Sequence, residues 1–433
     1  MHVSQNSLSN FAKNRRSLST QLILKALAGV ALALAFVDSG LAQTPTPTCP
    51  PGWVGGPPMP PVGAVRAVGA FFPANGRFYS MGGRSADTAG ADFTNPFEYD
   101  PATNSWTTKA ATYPDNMVDN MACGVLTVGG TPQIYCTGGN ASQVVGTTGR
   151  VFSYNPATDS ITSLGAPDDW PGSQGGTFLP GGFAVAGNKL YTIGSFNANA
   201  VPPVVTGQVW QFDPTAAAGS RWLARADLPV MRGYVPATGI GTMIYTGGGS
   251  NLDAGGLLID TTESFKYDTA ANTWTAIAPI PRATGETRAL AVNNEVWVLG
   301  GGRVAPNPSN EVDIYTPGTN TWRTGTPFAT ARRNFPTDTD GTAVYLAGGY
   351  DTSGTTLLNT MEIFGSGACP SPTPASPTPT AEFSLAAPSM AKASTSSLCA
   401  GAMRSHGPAK RPTMWPPRLR LRKKSSACGR GSS

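Results

Sequence analysis

Histidine is nearly absent from this chain. Among 433 residues only His2 and His406 carry an imidazole, one near each end. Between them a Ser-His-Asp relay or a histidine-ligated copper, zinc or iron site is excluded. The remaining charges are unevenly spread. The formal net charge is +5, yet residues 43–380 hold 16 Lys/Arg against 23 Asp/Glu, a balance of −7. The positive excess belongs to the ends, which disfavours nucleic acid as a partner of the middle. Within that middle, arginine is the group best suited to recognition. Arg66, Arg232, Arg288 and Arg333 recur upstream of apolar runs, while Arg84, Arg303, Tyr350 and Asp351 follow glycine pairs. Guanidinium groups with open donors suit a carboxylate, a sulfate or a sugar. Glu286 and Arg288 share one face of an extended segment and are the candidate pair for acid–base work on a sugar. The competing reading is that each arginine pairs with a neighbouring acid and only holds the fold. Asp338-Thr-Asp340-Gly341 has oxygen ligands for calcium, but a hairpin turn accounts for it more simply. No metal and no cofactor is expected.

These groups must be positioned by strands and turns. Gly 52 and Pro 39 are too many for a helical bundle, and 40% apolar residues are too many for a wholly disordered chain. Self-similarity supplies the architecture. Six aromatic residues, Tyr79, Tyr135, Tyr191, Tyr245, Trp297 and Tyr345, each stand three positions before a glycine. Those glycines, Gly82, Gly138, Gly194, Gly248, Gly300 and Gly348, are 56, 56, 54, 52 and 48 residues apart. A second aromatic follows in each copy, and four copies then reach a tryptophan through a turn, as in Tyr99-Asp-Pro to Trp106. Upstream of every glycine lie two apolar runs split by turn residues, of the kind Asn75-Gly76 or Gly129-Gly130. Each copy therefore reads as four short strands.

A diglycine followed by a spaced tyrosine and tryptophan resembles the kelch repeat, and the resemblance runs from about residue 52 to residue 366. It implies an all-β chain folded as a six-bladed β-propeller. Ser195 in place of a second glycine and Ile161 in place of a tryptophan are the departures. Galactose oxidase is the best-known enzyme of kelch type, but the histidines its copper needs are missing here. Three readings compete. One is a module that binds a protein or glycan through rim loops and the axial channel. Another is a carbohydrate-active enzyme similar to the kelch-type sialic acid mutarotases of bacteria, using Glu286 and axial arginines. The third is a purely structural cell-surface domain.

The sixth copy lacks its tryptophan strand, and an orphan Gly52-Trp53-Val54 precedes the first. The N-terminal strand is therefore expected to complete the last blade and close the ring. Cys49 and Cys369 then fall where the missing turn belongs, and a Cys49–Cys369 disulfide is expected. Cys123 and Cys136 stand opposite one another across a Gly129-Gly130 turn, at a site whose Cα separation suits a disulfide. Two buried free thiols are the alternative there. Residues 1–42 read as an export signal, with Lys13, Arg15, Arg16 and Lys25 before an apolar run and Gly40-Leu41-Ala42 as cleavage site. That run is too short for the ~20 residues of a membrane span, so no transmembrane segment is expected. The remaining plan is a Pro/Thr linker at 43–51, the propeller at 52–369, a Pro/Ser/Thr linker at 370–380 and a basic disordered tail at 381–433. The location is then outside the cytoplasm: extracellular, at the cell surface or periplasmic. A monomer is expected.

Overall fold

The structure is a computed structural model that describes residues 52–365 apart from 198, 305 and 306. Six four-stranded antiparallel sheets make up the fold, each with its strands in chain order except the last. The first strand of each blade is innermost. These six are Val68–Phe72, Ala122–Val128, Leu179–Ala186, Ala237–Ile240, Ala289–Val292 and Thr337–Thr339, and each lies against the inner strands of its two neighbours. The chain runs outward through three further strands and then returns to the axis of the next blade. Inner hairpins and outer turns thus share one face of the disc. The loops after the second strand and the returns to the axis share the other.

The ring closes as the repeat pattern requires. Gly52–Gly56 pairs antiparallel with Met361–Gly365, with Trp53 opposite Phe364, and becomes the outer strand of blade six. The indole Nε1 of Trp53 donates to Thr326 O of blade five at 2.8 Å. On the other side, Trp106 Nε1 of blade one reaches Pro57 O at 3.0 Å. Cys123 faces Cys136 in the blade-two hairpin, and the two form a disulfide with Cα atoms 4.1 Å apart. The expected Cys49–Cys369 bridge, the export segment, the linkers and the tail lie outside the described residues.

Two inner hairpins differ from the expected tight turn. In blades one and six the pairs flanking the loop are Phe72 with Arg77 and Thr339 with Val344, so four residues turn the chain. Side-chain oxygens hold these longer loops: Asn75 Oδ1 accepts from Arg77 N at 3.1 Å, and Asp340 Oδ1 accepts from Ala343 N at 2.7 Å. Asp340 is thereby a turn-former.

The glycines have a positional cause. At Gly82 (φ 65°) a Cβ atom would stand 2.3 Å from Val118 O, where the next blade enters, so only glycine lets the two chains meet. Blade three escapes the second glycine because its inner strand is longer. Pro180 pairs directly with Ser195, and the Ser195 hydroxyl bonds Thr206 Oγ1 at 2.7 Å.

Candidate functional site

Five blades carry a non-glycine residue in the left-handed region at the return to the axis: Arg66 (φ 59°), Asn120 (55°), Tyr234 (50°), Glu286 (52°) and Asn334 (55°). Such a conformation is uncommon for these residue types. Its cause is visible in the backbone. Asn120 N donates to Arg66 O at 3.0 Å, Arg66 N to Asn334 O at 2.9 Å, and Asn334 N to Glu286 O at 2.7 Å. The turned amides form a belt that ties four blades together around the axis. The five side chains line one axial mouth, with Gly181 and Phe183 standing in for blade three.

The arginines divide into two groups. Arg84 donates to the buried Asp119 at 2.7 Å and to Tyr350 Oη at 3.2 Å, and it also pairs with Asp87. Arg333 lies over the Tyr350 ring, 4.6 Å from its centroid, and pairs with Glu286. Arg303 pairs with Glu286 as well, and Arg232 with Glu263 at 2.7 Å. A chain of ion pairs and ring contacts thus runs through blades two, one, six and five. Asp119 is pushed up to about 7 by burial, against the pull of Arg84. Asp351 lies in a turn, where it accepts from Ser353 N at 2.9 Å. Arg66 and Arg288 form the second group, with no carboxylate within ion-pair distance among the described residues. Arg66 Nε, Asn120 Nδ2 and Arg288 Nε are buried donors without a partner.

Glu286 and Arg288 have separate sets of contacts. The Glu286 carboxylate is buried and accepts from Asn334 Nδ2 at 3.1 Å besides its two arginines. Arg288 lies deeper in the channel, 3.4 Å above the Phe183 ring centroid, and donates to Phe183 O at 2.9 Å. Burial pulls its guanidinium down to about 10, with Asp338 opposing. Asn120, Tyr234 and Asn334 are mouth residues that motif reading passed over. Their signal was register: Tyr234, Glu286 and Asn334 each stand fourteen positions before their blade's first glycine.

The loops around the mouth are apolar at their tips. Among the described residues, the five most exposed large apolar side chains are Val201, Val62, Val145, Leu257 and Met231, at 98%, 91%, 84%, 69% and 60%. All five sit on the loop face, by the topology above. The extra hairpin of blade four, Ser250–Leu252 with Leu258–Asp260, rises there too.

Six four-stranded blades around an axis, all with the aromatic-glycine pattern and five with an outer tryptophan, make this chain a six-bladed β-propeller of kelch type. The kelch motif model matches residues 284–329, which is blade five with its approach to the axis. Among curated proteins, the kelch-like protein terF of Aspergillus terreus is 29% identical over 249 residues, covering 53% of this chain and 48% of that protein. Kelch-like protein 23 of Mus musculus is 25% identical over 268 residues, covering 61% and 42%. The chain therefore spans less than half the length of these relatives. The solved structure of YjhT shares the fold, with a TM-score of 0.52 and 17% identity over 70% of this chain and 95% of that one. Among the described residues no helix is long and apolar enough to cross a membrane.

Proposed function

We propose that the protein is a binding module whose loop face docks a protein partner and whose axial mouth receives an acceptor group of that partner, such as an acidic side chain. The carrying observation is the coincidence on one face of the most exposed apolar side chains with the unpartnered donors of Arg66 and Asn120. Apolar contact area surrounding a few oriented polar groups is how protein interfaces gain both strength and register. Kelch domains generally bind proteins, which supports the same reading. With residues 1–42 read as an export signal, the partner belongs outside the cytoplasm. A glycan bearing a carboxylate fits the same donors, and competition by acidic sugars distinguishes it from a protein.

Sugar chemistry at Glu286 is the second reading. Its carboxylate already lies between Arg303 and Arg333, so catalysis requires those pairs to open around the substrate. The test compares co-purification from the native host using the wild type, a V145E/L257E variant and a V128E control on the hairpin face. Loss of the same bound protein in the first variant alone is expected. Equal loss in the control, or no change in either, removes the loop-face reading.

A further inference from the structure

The channel continues beyond the mouth into a second compartment of about 340 Å³, much larger than the ~70 Å³ at the mouth itself. Arg288 and Phe183 line both and mark where they meet. At its far end the chamber reaches Pro73, Asp340 and Gly341, which belong to inner hairpins. It therefore opens toward the hairpin face, away from the loop surface.

Its chemistry is simple. Phe71, Val125, Val185 and Leu290 supply apolar wall. Only Arg288, Asp338 and Asp340 carry charge there, and Asp340 is occupied in its turn. Arg288 is held flat by the Phe183 ring and by one bond from Nη1 to Phe183 O. Its Nε stays unpartnered, so a guanidinium edge is oriented and unspent. Asp338 accepts from Phe71 N at 2.7 Å through Oδ2, and the Thr339 backbone amide helps to hold the same carboxylate, which fixes its position at the chamber wall. A volume near the lower end of the range for small-molecule sites thus holds one fixed cation, one fixed anion and apolar wall between strands.

We propose that this chamber binds a small zwitterion, an amino acid with an apolar side chain, carboxylate against Arg288 and ammonium against Asp338. A guanidinium edge recognises a carboxylate by paired donors. An ammonium answers the second charge, which a plain carboxylic acid would meet as repulsion. The apolar wall takes the side chain.

Calorimetric titration of the full chain with L-leucine, isovalerate and isopentylamine tests this without altering the protein. Saturable 1:1 binding of leucine is expected, with the two singly charged analogues at least roughly tenfold weaker, the cost of leaving one buried charge unpaired. Arg288→Met and Asp338→Asn should each weaken leucine by roughly tenfold or more while the circular dichroism stays unchanged. No saturable heat with any of the standard amino acids overturns the proposal, as does isovalerate binding as tightly as leucine. Leucine binding that survives both substitutions overturns it too. None of these results bears on the loop face, whose test uses other residues.

Discussion

At the scale of single residues, the arginines show how far side-chain chemistry follows from sequence. Their recurrence in register placed them near the axis, but their partners were invisible because Asp119, Glu263 and Glu286 come from distant loops. Arg84, Arg232, Arg303 and Arg333 are held by ion pairs, whereas Arg66 and Arg288 have no carboxylate within ion-pair distance among the described residues; an unpartnered Nε remains on Arg66, Arg84, Arg232 and Arg288 alike. Asp338 gives a pH prediction. Burial pushes it up to about 6, above the ~3.9 of an unfolded aspartate. The native state then binds more protons than the unfolded state between about pH 4 and 6, so this group lowers stability as pH rises through that window. Asp338→Asn removes the effect. Chemical denaturation should find the variant more stable than wild type by about 1–3 kcal/mol at pH 8 and indistinguishable near pH 4.

At the scale of elements, the tryptophans explain why the repeat needs them. Trp274 Nε1 donates to Ala226 O at 2.9 Å and Trp322 Nε1 to Ala278 O at 2.7 Å, each reaching the preceding blade's return segment. The turn asparagine does the reverse job: Asn272 Oδ1 accepts from Ala226 N and Asn320 Oδ1 from Ala278 N. Ile161 has no such donor. In its place Asn95 Nδ2 bonds Ala111 O at 3.0 Å, and Asp159 accepts from Ala110 N at 2.8 Å. The departure at Ile161 could be seen in the sequence, but its compensation by Asn95, from another blade, could not. Asn95→Ala should therefore cost about 1–2 kcal/mol in denaturant unfolding, as a buried carbonyl loses its donor. The Cys123–Cys136 hairpin was readable from turn arithmetic alone. Its reduction should cost up to about 3 kcal/mol for a loop this short, with the fold retained.

At the scale of the whole molecule, ring closure is the feature on which blades five, six and one all depend. It was legible because the missing tryptophan strand and the orphan Trp53 are complementary halves of one repeat. Deleting residues 52–56 should turn a single cooperative thermal transition into a broadened one of lower midpoint, since the last blade loses its outer strand and the Trp53 bond to Thr326. The axial belt of left-handed residues escaped sequence reading, because residues as different as Arg66, Asn120 and Glu286 share a backbone role and no side-chain type. The proposed function rests on the division of the disc into an apolar, donor-bearing loop face and a hairpin face. Site-specific photo-crosslinking in the native host addresses it, with the probe at Val145 or Leu257 on one face and at Asn188 on the other. Loop-face probes should yield one discrete adduct that weakens when Arg66→Met is introduced, and the Asn188 probe should yield none. Equal adducts from both faces, or an adduct indifferent to Arg66, would contradict the account.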